Sequence, residues 1–125
     1  MIRESGMTKN VMAASFESEV LDEFRRECVD VATSASTADV RMFLKLITAQ
    51  PEVAHAPFVA SALQVPEYNG GRHVLTQSFV DSAHRYALEV HAWTINDEAA
   101  LRRMIELGVD GIITDYPDRL LALLQ

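Results

Sequence analysis

The fold is decided by two apolar runs near the C-terminus: Glu89-Val-His-Ala-Trp-Thr-Ile95 and Gly111-Ile-Ile-Thr-Asp115. Both runs contain β-branched residues, which favour strands. The sequence between them predicts a helix, because Leu101, Met104 and Ile105 recur at helical spacing. A strand, a helix and a second strand in this order are typical of a βα unit in a parallel sheet.

The same alternation extends toward the N-terminus. Three further strands are predicted at residues 11–16, 29–33 and 60–65, each followed by an amphipathic helix or a looser segment. The remaining helices are expected to bury Val20, Leu21, Phe24 and Cys28; Val40, Phe43, Leu44 and Ile47; Phe79, Val80, Ala83 and Ala87; and Leu120, Leu121 and Leu124. The strands are nearly continuous in apolar character, as expected when both faces of a sheet are covered. An open doubly wound sheet and part of a (β/α)₈ barrel both fit this α/β pattern.

Local signals predict where the helices begin and end. Capping residues are expected at Thr37, at Thr76, and at Asn96 or Asp97. Gly108 suits a left-handed helix end, and Pro117 suits the first position of the last helix. A looser stretch is expected over residues 49–60, which include Pro51 and Pro57, and a polar loop over residues 67–73.

Composition limits the class of protein. The 125 residues are 49% apolar, which is enough for one domain and too few for two. The net charge of −7 argues against a nucleic-acid partner. No apolar run reaches the roughly 18 residues of a membrane span, and the first ten residues lack the apolar core of a signal peptide, so a cytoplasmic location is expected. Because Cys28 is the only cysteine, an internal disulfide is excluded.

A family resemblance selects between the two architectures. Residues 90–97, Val-His-Ala-Trp-Thr-Ile-Asn-Asp, together with residues 107–117, Leu-Gly-Val-Asp-Gly-Ile-Ile-Thr-Asp-Tyr-Pro, closely resemble the C-terminal signature of the glycerophosphodiester phosphodiesterase family. Three further pieces follow the order of that family: Ser15-Phe16, residues 62–66 with the Gly70-Gly71 loop, and residues 79–84. The resemblance implies a TIM-type (β/α)₈ barrel. A full barrel needs about 200–250 residues, so residues 1–125 are expected to be a partial domain, the C-terminal half.

The resemblance also implies an activity. Members of the family hydrolyse glycerophosphodiesters to glycerol 3-phosphate and an alcohol, with a divalent cation (Mg²⁺ or Ca²⁺) held by carboxylates and two histidines as general acid and base. In the family these groups lie in a His-Arg-Gly, a Glu-x-Asp strand, a later His-Asp, and a Glu on the strand before Ser-Phe. None of these motifs occurs here. We therefore expect no catalytic residue and no metal ligand in this chain, and no activity of the chain alone.

Three residues are candidates for substrate binding. Trp93 is expected near the C-terminal end of its strand, where (β/α)₈ barrels place their active sites, and the resemblance favours contact with the glycerol or head group. Phe16 is expected at the end of the first strand, where it either lines the pocket or fills the core. Gln64, just before Pro66, offers a hydrogen bond to a phosphate or hydroxyl, although a structural role for its amide is the stronger alternative.

Other polar residues have simpler interpretations. Two aspartates that follow strands, Asp97 and Asp115, are interpreted as helix caps. Arg72, in the polar loop, is interpreted as a solvated side chain. None of the histidines matches a catalytic position of the family, and none is predicted to act as acid or base: His55, His73, His84 and His91.

Two functional hypotheses follow. In the first, the chain is a piece of a phosphodiesterase that binds a glycerophosphodiester once the barrel is completed by the missing N-terminal half. In the second, it is a non-catalytic half-barrel that acts as a binding or assembly module, because open strand edges invite pairing with a second copy or with a partner chain. A small flavodoxin-like domain is a third reading, disfavoured because no Gly-rich phosphate loop follows the first strand.

Overall fold

The computed structural model describes residues 1–49 and 58–125. These residues divide into two compact units, Met1–Leu63 and Gln64–Gln125. Most of the predicted loose stretch, with Pro51, Pro57 and His55, lies outside the described residues. In the described ranges, no helix is both long enough and apolar enough to span a bilayer.

The first compact unit contains two successive strand–helix pairs. It contains β1 (Met12–Ala13), α1 (Ser18–Glu27), β2 (Ala32–Thr33) and α2 (Thr37–Ala49). Strands β1 and β2 are parallel, and a parallel bridge joins Ser34 to Ala62. In its core, the fully buried Phe43 of α2 meets Phe58 edge-on, with ring centroids 6.2 Å apart. The parallel strands predicted at residues 11–16 and 29–33 are confirmed, but they are shorter than expected.

Strand β3 (Ala62–Pro66) leads into the second unit, which contains the remaining elements. They are β4 (Tyr68–Asn69), β5 (Arg72–His73), α3 (Gln77–Arg85), β6 (Glu89–Trp93), α4 (Glu98–Leu107), β7 (Gly111–Ile112) and α5 (Pro117–Leu123). The main sheet has the order β3-β6-β7. Strands β6 and β7 are parallel, with His91 opposite Gly111. All five predicted strands are therefore present in the predicted order, and the α/β class is confirmed.

The polar loop predicted at residues 67–73 is instead a short hairpin. Strands β4 and β5 are antiparallel, and the connecting Gly70 and Gly71 have φ values of 57° and 78°. Two successive positive φ angles are the requirement of the tight hairpin turn that Asn-Gly and Gly-Gly sequences favour. The rings of Tyr68 and His73 stack across the hairpin at 4.7 Å. The Asn69-Gly70-Gly71 sequence was the signal that could have predicted it.

Most of the predicted helix ends are confirmed. The Thr76 hydroxyl accepts a hydrogen bond from the Phe79 N–H at the start of α3, and the Asp97 carboxylate accepts one from the Ala100 N–H at the start of α4. Gly108 ends α4 in the left-handed conformation. These residues satisfy backbone groups that a helix end would otherwise leave unpaired.

The predicted cap of α2 is off by one residue. Thr37 is the first residue of the helix, and Ser36 caps it: the Ser36 hydroxyl accepts from the Asp39 N–H, and the Asp39 carboxylate accepts from the Ser36 N–H. This reciprocal pair has the geometry of a capping box. Ser36 and not Thr37 is the capping residue, because Asp39 lies three residues after Ser36 and can return the hydrogen bond.

The predicted core is confirmed for residues in the middle of the helices, but several residues near helix ends are exposed. Among the expected residues, the buried ones are Leu21, Phe43, Phe79, Val80, Ala83, Leu101 and Met104. Val20 is exposed, and Leu121 of the last helix and Leu124 directly after it are each 60% exposed. Ala87 is also exposed, because α3 has already ended at Arg85 and Ala87 adopts a left-handed φ of 56°. Helical spacing identified which face of each helix is apolar, but it could not tell how far a neighbouring element covers that face.

Candidate functional site at the carboxyl ends of β6 and β7

The two sequence runs that decide the fold meet through the side chain of Asn96. Its Oδ1 accepts a hydrogen bond from the Asp115 N–H at 2.9 Å and one from the Thr114 hydroxyl at 3.2 Å. Its Nδ2 donates to the Asp115 carboxylate at 2.8 Å. We call this arrangement the Asn96 clamp. It ties the segment that follows β6 to the segment that follows β7.

Backbone hydrogen bonds extend the parallel pairing up to the clamp. The Ile113 N–H donates to the Ala92 carbonyl at 2.8 Å, and the Ile95 N–H donates to the Ile113 carbonyl at 3.0 Å. Beyond them, Arg119 donates from Nη1 to the Asn96 carbonyl at 3.2 Å, and its guanidinium lies 4.0 Å from the centre of the Tyr116 ring. The loop after Trp93 is thus held by strand pairing, by the clamp and by an arginine from α5.

The prediction that Asp115 caps the last helix is wrong. The residue before α5 is Tyr116, which makes no side-chain capping bond. Instead the Tyr116 N–H donates to the Thr114 hydroxyl at 3.1 Å, and Asp115 is engaged by Asn96. A capping rule considers only the next few residues, whereas the partner of Asp115 lies 19 residues earlier in the chain. The signal that could have revealed the clamp was the pairing of the two sequence runs.

The predicted substrate residues belong to different units. Gln64 and Trp93 lie in the second unit, on β3 and at the end of β6, and both are half-buried. Gln64 Nε2 lies 3.2 Å from His91 Nδ1, so its amide contacts the side chain two residues before Trp93. Phe16 lies in the first unit, three residues after β1, and is 68% exposed, while its carbonyl accepts from the Thr37 N–H. The roles of all three in substrate binding stay predictions.

His91 lies within a polar row on β6. Alternate residues of the strand, Val90 and Ala92, are buried, while Glu89, His91 and Trp93 face the other side. His91 Nε2 lies 3.0 Å from a Glu89 carboxylate oxygen. Gln64 presents its amide nitrogen, a donor, to Nδ1, so Nδ1 is the acceptor of this contact. His91 is therefore engaged by a carboxylate and an amide.

Gly111 provides the space that the His91 ring occupies. A β-carbon added at Gly111 would lie 2.9 Å from His91 Cδ2, closer than side-chain carbons approach one another. Glycine at the start of β7 is thus required by a neighbouring side chain and not by backbone conformation. Sequence reasoning placed Gly111 in a strand and found no reason for it.

Asp110, the residue directly before β7, contacts both β6 and α3. Its N–H donates to the Val90 carbonyl, and its carboxylate accepts from the Val90 N–H, each at 2.8 Å. His84 Nε2 of α3 lies 2.8 Å from the same carboxylate. Burial acts to raise the pKa of the Asp110 carboxyl, but the hydrogen bonds from Val90 and His84 and the charges of His84 and His91 outweigh it, and the pKa lies below its ordinary value.

A separate cleft of about 320 Å³ opens beside the hairpin, and its lining includes His73, Gln77 and Arg103 but neither Gln64 nor Trp93. Arg103 of α4 donates from Nε and Nη2 to the Glu67 carboxylate at 3.0 and 3.3 Å. The hydrogen bond to Glu67 is the main cause that raises the pKa of Arg103. This ion pair fixes the base of the hairpin against α4.

The family resemblance implies a divalent cation held by carboxylates. Within residues 1–49 and 58–125, no group of three or more His, Cys, Asp or Glu side chains could hold a metal ion. The described residues therefore do not fit that cation, and none of them is assigned a role as its ligand.

The fold and the Asn96 clamp define an α/β protein of parallel βα units with a hydrogen-bonded polar cluster at the carboxyl ends of β6 and β7. The chain belongs to the Glycerophosphoryl diester phosphodiesterase family, whose model matches residues 4–119. Its resemblance to that family is thus confirmed over nearly its full length.

Individual relatives agree with this membership. The chain is 32% identical over 103 residues to a Mycobacterium tuberculosis protein named probable glycerophosphodiester phosphodiesterase 2, a match that covers 77% of this chain and 39% of the relative. A solved structure from Silicibacter pomeroyi, of a protein assigned to the glycerophosphoryl diester phosphodiesterases, superposes with a TM-score of 0.71 at 26% identity. A glycerophosphodiester phosphodiesterase from Parabacteroides distasonis superposes with a TM-score of 0.66 at 19% identity, a likeness of fold.

The relatives are considerably longer than the matched region. Each of the two solved structures is matched by 98% of this chain, but only 40% of the first and 46% of the second is covered. The chain therefore corresponds to less than half the length of these relatives.

Proposed function

We propose that this chain supplies the C-terminal part of a (β/α)₈ barrel that hydrolyses glycerophosphodiesters to glycerol 3-phosphate and an alcohol. The observation that carries the proposal is the Asn96 clamp, which joins the carboxyl ends of β6 and β7 directly after Trp93. In (β/α)₈ barrels the residues at this end of the strands bind the substrate. Family membership and the coverage of less than half of each solved relative support the same assignment.

Within this proposal, three residues contact the substrate. Trp93 forms an apolar wall against the glycerol or the alcohol group, because an indole ring buries a large area at little entropic cost. Gln64 offers its amide to a phosphate or hydroxyl oxygen, oriented by its contact with His91. Phe16 is proposed as a further substrate contact in the completed barrel. These roles concern binding and orientation, not proton transfer.

The proposal assigns acid–base catalysis and the Mg²⁺ or Ca²⁺ ligands to chain that this sequence does not contain. The sequence has no His-Arg-Gly and no Glu-x-Asp, the motifs that the resemblance associates with catalysis. The isolated chain is therefore expected to be inactive toward glycerophosphodiesters. A cytoplasmic location remains the expectation from the sequence.

A chimaera tests this function. The matched region of the M. tuberculosis relative is replaced by this chain, and release of glycerol 3-phosphate from glycerophosphocholine is measured with Mg²⁺ or Ca²⁺. We expect metal-dependent hydrolysis by the chimaera and none by the chain alone. Trp93→Ala in the chimaera is expected to raise KM about tenfold, as for the loss of one apolar substrate contact. Tyr68→Ala, which removes an exposed aromatic ring from the hairpin, serves as the matched control.

Two outcomes would contradict the proposal. Robust turnover by the chain alone would mean that its own residues form a catalytic centre. A folded chimaera without hydrolysis would favour the second candidate, a non-catalytic binding or assembly module. The specific observation in favour of that candidate is that, among the described residues, Leu121 of α5 and Leu124 directly after the helix are exposed.

A further inference from the structure

The pairing of β6 with β7 shifts by one residue at the carboxyl ends of the two strands. Ala92 lies opposite Ile112, and the Ile113 N–H donates to the Ala92 carbonyl at 2.8 Å. In a regular parallel pair the Ile113 carbonyl would then accept from the N–H two residues after Ala92, which is that of Thr94. It accepts instead from the Ile95 N–H, at 3.0 Å. The end of β6 therefore contains one extra residue, a β-bulge.

The burial of the same residues shows the shift independently. Val90 and Ala92 are fully buried, and regular alternation along the strand would bury Thr94 next. Thr94 is exposed, and the next buried residue is Ile95, three positions after Ala92. The bulge thus keeps Thr94 out of the buried face and leaves it exposed directly after Trp93. Bulges beside active sites commonly redirect a side chain in this way.

The other polar side chains at this end of the sheet already have partners. Asn96, Thr114 and Asp115 bind one another in the Asn96 clamp, and Asp97 caps α4. Within residues 1–49 and 58–125, the Thr94 hydroxyl makes no hydrogen bond. Of these five residues, Thr94 is therefore the one whose side chain remains available to a ligand.

The surrounding charges indicate which kind of group Thr94 would bind. The carboxylates of Asp97 and Asp115, on the segments after β6 and β7, are exposed. The guanidinium of Arg119 is already engaged by the Asn96 carbonyl and the Tyr116 ring. Two carboxylates disfavour an anionic phosphate oxygen, because like charges in proximity cost free energy, but they do not disfavour a neutral hydroxyl. A threonine hydroxyl is donor and acceptor at once and can pair with another hydroxyl.

We propose that Thr94 binds a glycerol hydroxyl of the glycerophosphodiester, and that the bulge at the end of β6 places it beside Trp93 for this purpose. Trp93 then contacts the apolar part of the same group while Thr94 reads its hydroxyl. A site that hydrogen-bonds a substrate hydroxyl discriminates against analogues that lack it. The choice of substrate rests on the proposed function, whereas the bulge does not.

Kinetics of the chimaera described above test this role. Glycerophosphocholine is a suitable substrate, because its hydroxyl groups all belong to the glycerol. Thr94→Val is expected to raise KM about three- to tenfold, as for the loss of one neutral hydrogen bond, with little change in kcat. Thr94→Ser, which retains the hydroxyl, is expected to restore most of the affinity. Thr48→Val, at an exposed position of α2, is the matched control and is expected to behave as wild type.

A diester without hydroxyl groups, bis(4-nitrophenyl) phosphate, distinguishes a hydroxyl contact from a phosphate contact. Its inhibition constant against glycerophosphocholine should be the same for wild type and Thr94→Val. Equal weakening of both compounds, an unchanged KM in Thr94→Val, or no rescue by Thr94→Ser would overturn the proposal. Calorimetric titration with glycerophosphocholine in EDTA measures binding without turnover. Binding that depends on Thr94 in a chimaera without hydrolysis would refute only the proposed activity, and absence of binding would refute both.

Amide hydrogen exchange of the wild-type chain tests the bulge directly. The amide of Ile95 is hydrogen-bonded to Ile113 and is expected to be at least about tenfold more protected than that of Thr94. The reverse order would mean that β6 keeps its regular register, and it would remove the structural basis of the proposal.

Discussion

Asn96 and Asp115 bind each other through both ends of the Asn96 carboxamide: its oxygen accepts from the Asp115 N–H, and its nitrogen donates to the Asp115 carboxylate. The same oxygen accepts from Thr114. The amide is the group that fits, because it is acceptor and donor at once. This pair explains why an Asn after one strand and an Asp after the next occur together in the sequence.

Removing the clamp should destabilise the chain. Asn96→Ala is expected to lower the free energy of unfolding by about 1–3 kcal/mol, because the partners of three hydrogen bonds lose them together. Asn96→Asp is expected to be at least as damaging at neutral pH, since it places a second carboxylate beside Asp115. Urea denaturation measures both, with the exposed Asn10→Ala as control. Equal midpoints for Asn96→Ala and Asn10→Ala would refute the structural role of the clamp.

Asp110 should make stability sensitive to acid. Its pKa in the folded chain lies below the ordinary value of 3.8, so its stabilising contribution is complete above that value and is lost as the pH falls through the lower, folded pKa. We expect Asp110→Asn to be less stable than wild type at pH 6 and to lose less stability on acidification toward pH 3. Thermal unfolding across this range tests it, with Asp118→Asn on α5 as control. Parallel pH profiles for wild type and Asp110→Asn would contradict the prediction.

A glycine at position 87 should stabilise the chain. Ala87 has a φ of 56°, and at this helix end the Leu88 N–H donates to the Ala83 carbonyl and the Ala87 N–H to the His84 carbonyl. An L-residue in this conformation costs about 1–2 kcal/mol, which exceeds the entropic cost of glycine in the unfolded chain. Ala87→Gly is therefore expected to raise the free energy of unfolding by about 0.5–1 kcal/mol.

The control for Ala87→Gly is a substitution that should change the free energy of unfolding in the opposite direction. Ala99 is exposed within α4, so Ala99→Gly should lower the free energy of unfolding by about 0.5–1 kcal/mol. Chemical denaturation of the two variants in parallel checks both signs. Destabilisation by Ala87→Gly would show that the left-handed conformation at residue 87 is not strained.

Gly111 and His91 should be energetically coupled. Gly111→Ala is expected to destabilise the chain by about 1–3 kcal/mol, because the new β-carbon would lie 2.9 Å from the His91 ring. In the background of His91→Ala the same substitution should cost less than about 0.5 kcal/mol. A double-mutant cycle measures the coupling, and additive costs would exclude the steric explanation.

The succession of elements was largely predictable from local sequence. Helix ends are set by residues that bind backbone groups only a few positions away. Thr76 and Asp97 cap the starts of α3 and α4, and Gly108 ends α4, as their residue types predict. The predicted polar loop is a hairpin because Gly70 and Gly71 adopt the two positive φ angles of a tight turn. The errors in burial, at Ala87, Leu121 and Leu124, occur at element ends, where exposure depends on neighbours that periodicity does not describe.

The sequence by itself determined the α/β class, the order of the five parallel-sheet strands and the family. β-branched runs, helical spacing and capping residues act over short distances, and the family model matches residues 4–119. Only the tertiary structure decided that Asn96 holds Asp115, that Gly111 makes room for His91, and that α5 leaves Leu121 and Leu124 exposed. The first two contacts depend on the register of β6 against β7, and the third on what packs against α5. Register and packing join residues that are distant in the chain, and no local preference specifies them.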